Sequence, residues 1–354
     1  MTSGAGRPLR WGVLAPTAMI ARRAVLPALA ASPTTSVVAV GSVSTDEVPG
    51  RAACGIGEDV RWHRSYEAVL ADDEVEAVYV ALPNSLHRRY VEAALQAGRH
   101  VLCEKPLAVS AADAEAMVAA AHTAGRVLLE AYMTPHHPRS RAIAAAARSG
   151  ELGEPRFAHT AFTFRMDRAG NHRWDPAMGG GALLDVGIYC LAPILGLAGS
   201  EPEWVAARPV AGADPSGGPG SVTSAPGGRS GTAPQVDVSF AGLLAFAGGL
   251  TASFECSFDA AERQLLELVG SRAALSAERA FTPGPGDTSY RWRHADGRVE
   301  QRDTAGGEMY RLMVENFAEV VAGRAEPLHP LSATLAVART VERLRSAPPG
   351  PDDD

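Results

Sequence analysis

Over the first 131 residues, short apolar runs alternate with stretches that read as helices, and this constrains the fold more than any other feature of the chain. Residues 9–14, 36–42, 75–82, 100–103 and 127–131 read as strands. Residues 18–31, 66–71, 85–97 and 110–124 read as helices between them. Gly98 follows the third of these helices as a terminating residue, and Ser110 with Asp113 forms a weak capping box at the fourth. Short apolar strands separated by helices build a parallel sheet wound on both faces. Such a sheet receives ligands at the carboxyl ends of its strands. The turn after Leu14, Ser42, Pro83-Asn84 and Glu104-Lys105-Pro106 all fall at such ends.

The pattern changes near Tyr132. Residues 138–149 read as a helix stopped by Gly150, and strands then dominate. Residues 157–164 alternate, 236–246 and 250–258 flank Ala247-Gly248-Gly249 as a hairpin, and 265–270 with 273–277 form a further pair. Residues 308–322 and 332–345 read as late amphipathic helices. Two domains are therefore expected. Residues 1–134 form an α/β doubly wound parallel sheet, and 135–347 an α+β domain with an open, largely antiparallel sheet. Residues 209–234, rich in Gly, Pro, Ser and Thr, read as a flexible insertion, and 348–354 as a disordered tail.

A length of 354 residues suffices for two cores, and a net charge of -7 leaves no basic footprint for nucleic acid. Cys54, Cys103, Cys190 and Cys256 include no close pair, so they read as reduced thiols of a cytoplasmic protein rather than a zinc or redox site. The first residues lack the apolar core of a signal peptide, and no apolar run reaches the roughly 20 residues that span a bilayer. Adjacent His136 and His137 point apart with no third ligand placed, so no metal is expected.

Four segments carry candidate chemistry. The first turn runs Gly12-Val-Leu-Ala-Pro-Thr-Ala-Met-Ile-Ala21. It has the small residues that let backbone N–H groups reach a pyrophosphate, but matches G-x-G-x-x-G poorly. Read alone, it leaves cofactor binding and an ordinary strand-helix turn equally open. The second strand ends at Gly41-Ser42-Val43-Ser44 with no carboxylate at its tip, since Asp46 and Glu47 come later. An acid there would bind the ribose of NAD, so its absence favours NADP(H) over NAD(H). Ser42 is the candidate phosphate donor, with Arg22, Arg23 or Arg51 nearby; solvated surface is an equal reading of the arginines.

Ala97-Gly-Arg-His-Val-Leu-Cys-Glu-Lys-Pro-Leu107 sets Lys105 at a strand exit with a proline fixing the turn. Asn171-His-Arg-Trp-Asp-Pro-Ala-Met-Gly-Gly-Gly-Ala-Leu-Leu-Asp-Val-Gly-Ile-Tyr-Cys190 sets Asp185 and Tyr189 four residues apart, on one face if residues 182–195 are helical. On its own this last pair reads more readily as an amphipathic helix.

The combination of AGRHVLCEKPLA (97–108), PNSLH (83–87), EAYM followed by HP (130–138) and RWDPAMGGGALLDVGIYC (173–190) resembles the glucose-fructose oxidoreductase / inositol dehydrogenase / MocA family over nearly the whole chain. The Tyr-containing version is similar to its sugar dehydrogenase and sugar-3-ketoreductase branches. The resemblance implies a Rossmann domain, NAD(P)(H), a sugar, nucleotide-sugar or cyclitol substrate, and homodimers or homotetramers formed through the second sheet. It implies that Lys105, Tyr189 and Asp185 are catalytic. It also implies cofactor contacts at Ser42, Leu82, Asn84, His87 and Glu104. Gly12, Thr17, Ala18, Met19, Ile20 and Pro83 join that set as turn residues, and Arg173 and Trp174 join Asp185 and Tyr189 towards substrate. Ala-Pro-Thr-Ala replaces the family's glycines in the first turn, so the pyrophosphate is expected on the N–H groups of Ala18, Met19 and Ile20.

The expected reaction moves a hydride between nicotinamide and a carbonyl or alcohol. Free tyrosine and lysine titrate near about 10 and 10.4, and a neighbouring cation favours phenolate. Tyr189 then exchanges the proton while Lys105 stabilises the oxyanion beside it, with the converse assignment open. The alternatives are a cofactor-binding sensor of the same fold and an NAD(P)-dependent lyase.

Overall fold

A computed structural model of the chain describes residues 7–214 and 235–347. The described residues form two compact units. The first comprises residues up to Ala108, Ala112–His136 and Glu308–Leu331; the second comprises Val109–Ala111, His137–Gly307 and the residues from Ser332 onward.

The first unit holds six parallel strands: β1 Leu9–Leu14, β2 Thr35–Gly41, β3 Arg61–His63, β4 Ala77–Val80, β5 His100–Cys103 and β6 Leu128–Glu130. Their order is β3-β2-β1-β4-β5-β6, that of a dinucleotide-binding sheet whose strand order reverses beside β1. The interior strands are apolar on both faces because helices cover both; β4 is buried at every position. The reading of five strands missed β3. Arg61 there reads as surface, yet it is held by Asp72 at 2.6 Å and Glu74 at 2.8 Å.

The helix after β1 starts as a wide π-wound turn, Ala21–Val25, and continues as Leu26–Ala31. The helix Met309–Val321, expected in the second domain, belongs to the first unit. Its Phe317 ring lies 4.9 Å from that of Trp11 in β1, and both are fully buried. Apolar burial against β1 thus draws residues 308–331 back.

The second unit is built on an eight-stranded mixed sheet. It comprises β7 Pro155–Arg165, β8 Trp204–Gly212, β9 Val236–Ala245, β10 Thr251–Ser257, β11 Asp259–Gly270, β12 Ala273–Glu278, β13 Ser289–His294 and β14 Val299–Asp303. The order is β14-β13-β12-β11-β7-β10-β9-β8, with β7 and β10 parallel and the other pairs antiparallel. The hairpin over Ala247-Gly248-Gly249 is present, with Gly248 and Gly249 at φ 82 and 85. β8 runs to Gly212, so residues 209–212 are strand and not the start of an insertion. Residues 215–234 and 348–354, read as insertion and tail, lie outside the described residues.

One sheet face packs on a helix that begins as a π-wound turn, Leu183–Gly187, and continues as Ile188–Ala198. Pro176–Ala198 is long and apolar enough to cross a membrane by length and composition. It is instead a core helix, with 72% of the apolar window buried. On the opposite face one cross-strand row runs Trp204, Ala245, Thr251, Phe157, Val269. Phe157 and Trp204 are 61% and 54% exposed there.

Candidate active site

In the first unit, the carboxyl exits of β1, β2, β4 and β5 carry the residues singled out above. At the β1 exit Ala15 takes φ 58, a conformation that ordinarily favours glycine. This turns the chain into the helix without the family's glycines. Gly12 serves packing: a Cβ there would meet Val69 at 2.6 Å and Val75 at 3.0 Å. The Ala18 N–H donates to the Ala15 carbonyl at 3.0 Å, so it is spent within the turn rather than left for a phosphate. Thr17 lies in the turn, and Met19 and Ile20 open the helix that follows it.

Ser42 is held within the turn after β2. It is buried, its N–H donates to the His63 carbonyl at 3.0 Å, and its Oγ accepts the Thr45 N–H at 3.2 Å. It shapes the turn after β2. Arg51 is likewise engaged in structure. Its Nε donates to Glu47 and its Nη2 to the Val60 carbonyl, at 2.8 and 2.7 Å, and its Nη1 reaches the Gly57 carbonyl.

The β4 and β5 exits are fastened together. Leu82, Pro83 and Asn84 lead into the turn Asn84–Leu86 and the helix His87–Gln96. His87 is fully buried, with Nε2 2.8 Å from the Leu82 carbonyl and Nδ1 2.9 Å from the Pro106 carbonyl. Both ring nitrogens thus face backbone, so His87 braces the two exits. Burial pulls its pKa below the ordinary value, against the Leu82, Pro106 and Leu107 carbonyls.

Glu104 is buried and accepts from the Tyr79 hydroxyl through Oε1 and from the Lys105 N–H at 3.3 Å through Oε2. Burial and the Glu104 carboxylate push the Tyr79 hydroxyl pKa far up, so it remains a donor. The Leu107 N–H donates to Glu130 Oε1 at 2.7 Å, while His329 Nε2 lies 3.2 Å from Glu130 Oε2. Lys105, half-buried and followed by a cis peptide to Pro106, therefore has neighbours pinned on both sides. The brace formed by Glu130 and His329 was missed; these residues lie 199 apart, and no local pattern pairs them.

In the second unit, Arg173 Nε donates to Asp185 Oδ2 at 2.7 Å, with both side chains largely buried. Asp185 sits in the wide turn Leu183–Gly187, and Tyr189 follows in the first turn of Ile188–Ala198. Tyr189 is 4% exposed and packs edge-on to Phe162 at 5.4 Å and against Phe281 at 6.2 Å. Trp174 donates its indole N–H to the Arg168 carbonyl at 3.0 Å and packs on Phe258, so it acts as a wall.

The triple glycine earns its place by close approach. A Cβ at Gly180 would lie 2.4 Å from the Arg173 carbonyl oxygen, and one at Gly181 2.2 Å from Asp237 Oδ1. Asp237 caps the helix by accepting the Leu183 N–H at 2.6 Å; burial pushes its carboxyl pKa up against that pull. Among the described residues no group of three or more His, Cys, Asp or Glu is placed to hold a metal ion.

Comparison with known proteins places this arrangement. Residues 17–132 match the NAD-binding Rossmann fold of the GFO/IDH/MocA oxidoreductase family, and residues 140–276 match a GFO/IDH/MocA C-terminal domain. The chain is 33% identical to an NADP(+) D-xylose 1-dehydrogenase of Haloferax volcanii over 95% of its own length and 96% of that protein's. It is 32% identical to the dTDP-3,4-didehydro-2,6-dideoxy-alpha-D-glucose 3-reductase of Actinomadura kijaniata, covering 96% of this chain and 95% of the relative. A solved 3-ketoreductase from Actinomadura kijaniata, in complex with NADP and TDP-benzene, superposes with a TM-score of 0.83 at 30% identity, covering 96% of this chain and 98% of that one.

Proposed function

This chain belongs to the GFO/IDH/MocA oxidoreductase family, and from that premise we propose that it is an NADP(H)-dependent oxidoreductase of a sugar-like carbonyl or alcohol, with nucleotide-linked keto sugars the first class to test. The observation that carries the reading is the Lys105 turn at the β5 exit. It lies in a sheet of dinucleotide-binding order, with Glu104, Pro106 and Leu107 each held by buried partners. NADP(H) fits this edge: Ala15 turns the chain at positive φ, Thr17 lies in that turn, Met19 and Ile20 open the following helix, and no acid occupies the β2 tip. The relatives' printed activities on sugars and nucleotide sugars support the substrate class.

The nicotinamide supplies or accepts the hydride when bound. In the reductive direction Tyr189 gives the proton to the oxygen of the reduced carbonyl, and takes it in the reverse direction. In the first unit, the Lys105 ammonium is the group suited to stabilise negative charge that develops on a substrate oxygen. Asp185, its carboxylate oriented by Arg173, holds a substrate hydroxyl. Pinning the turn on both sides of Lys105 keeps its ammonium from relaxing as the charge develops. The solved variants of the Actinomadura reductase, one with a tyrosine changed to phenylalanine and one with a lysine changed to alanine, alter these same two residue types.

The test follows NADPH absorbance with a panel of keto sugars, free and nucleotide-linked, for the wild type, Tyr189→Phe and Lys105→Met. Losses in kcat of roughly 10²-fold or more are expected for both variants. Turnover near wild type in both would end the assignment. We also propose that the open sheet face bearing Phe157 and Trp204 pairs with a second copy of the chain. Light scattering of Trp204→Asp, expected to give a smaller species than the wild type, tests this; an unchanged mass refutes it.

A further inference from the structure

We propose that Arg64 reads the 2′-phosphate of the cofactor and so sets the preference for NADP(H) over NAD(H). This rests on the cofactor reading above and deepens it. β2 ends at Gly41 opposite His63, the last residue of β3, and the Ser42 N–H bonds the His63 carbonyl at 3.0 Å. Arg64 therefore leaves the sheet beside the β2 exit, where the adenosine ribose lies in a sheet of this order.

Three other cations of this region, Arg51, Arg61 and Arg22, are committed or lie elsewhere. Arg51 spends its donors on Glu47 and on the Val60 and Gly57 carbonyls. Arg61 holds Asp72 and Glu74. Arg22 acts on the Cys54 thiol, at the carboxyl end of the helix Glu47–Cys54. The β2 exit adjoins the other end of that helix, about 12 Å away at 1.5 Å per residue. The Ser42 hydroxyl is buried in its own turn.

Arg64 is paired with Asp46, and both side chains are open to solvent, at 69% and 71% exposed. A pair so exposed holds its members weakly. A phosphate carries more charge than one carboxylate and offers three acceptor oxygens, so it draws the guanidinium away. With NAD(H) no such competitor is present and the pair stays closed. Asp46, just beyond the β2 tip and paired with Arg64, opposes the phosphate that Arg64 recruits.

Calorimetric titration with NADPH, NADH and 2′,5′-ADP tests this on the wild type, R64M, R64K, R22M and D46N. R64M is expected to weaken NADPH and 2′,5′-ADP about 10- to 100-fold while moving NADH less than about twofold. R64K should recover part of the loss, since it restores charge without the planar fork. D46N should tighten NADPH, and R22M should leave the NADPH-to-NADH ratio in place. An unchanged ratio in R64M overturns the proposal while tight NADPH binding by the wild type leaves the cofactor reading standing. A wild type that prefers NADH also overturns it, and a wild type that binds neither dinucleotide overturns both.

Discussion

Replacing His87 by leucine tests how firmly the Lys105 turn is built. The ring is wholly buried and faces the Leu82 carbonyl at 2.8 Å and the Pro106 carbonyl at 2.9 Å. Leucine fills similar space and offers no donor. A neutral imidazole donates through one nitrogen, so the least cost is one abandoned buried carbonyl, about 1–3 kcal/mol. An imidazolium donates through both, which doubles the figure to about 2–6 kcal/mol. At roughly 2–4 °C per kcal/mol for a unit of this size, the midpoint of the first unit should fall by about 2–24 °C. Urea unfolding followed by tryptophan fluorescence measures the free energy, and calorimetry the midpoint. His87→Gln, which keeps one N–H donor, should recover part of the loss. The loosened turn should also lower kcat more than it raises KM. A destabilisation below about 0.5 kcal/mol, within the range of an ordinary surface change, would refute the bracing argument.

Three further outcomes are expected. Gly181→Ala forces a side chain at φ 110 and a Cβ 2.2 Å from Asp237 Oδ1, so it should cost about 1–3 kcal/mol from the backbone alone, and Gly180→Ala should also destabilise; equal stability by urea unfolding would contradict this. Burial raises the Asp72 carboxyl, but hydrogen bonds from Arg61, the Glu74 N–H and His63 bring it below its ordinary value. A carboxyl depressed on folding stabilises above its unfolded value, near about 3.9, and loses that contribution as pH falls through the folded value. Asp72→Asn should therefore destabilise at about pH 7, with the difference shrinking as pH falls below the unfolded value; a pH-independent difference would oppose the assignment. Burial pushes the thiols of Cys103, Cys190 and Cys256 up, while Cys54 is only half-buried, so an aromatic disulfide reagent should titrate at most Cys54 in the native chain. Rapid reaction of a second thiol would count against the burial described.

Much of the first sheet was legible because buried parallel strands carry unbroken apolar runs; β5 falls where the sequence placed it, at 100–103. Strands that lean on charge were not legible. In β13 the arginines alternate with buried Tyr290 and Trp292, while β14 has no fully buried residue and its Arg302 guanidinium lies 3.8 Å over the Trp292 ring. No hydrophobic period announces that pairing. β8 was hidden by Pro209 and Gly212, whose composition suggested a loop although the strand sits at the sheet edge, where proline is tolerated. At the candidate site the residue types were readable, but their partners were not. Ser42 and His87, read as ligand contacts, bond the backbone, and Asp185 found Arg173 twelve positions upstream.

The return of residues 308–331 to the first unit has a consequence for biosynthesis. Phe317 completes the packing around Trp11, and His329 meets Glu130 behind the Lys105 turn. A ribosome delivers β1 to β6 early and these contacts nearly last. The nascent half must therefore wait with an apolar flank uncovered while the whole eight-stranded sheet is made. Chaperone demand should peak in that interval, and a stop codon shortly before Glu308 should yield a product that binds holdases instead of cofactor.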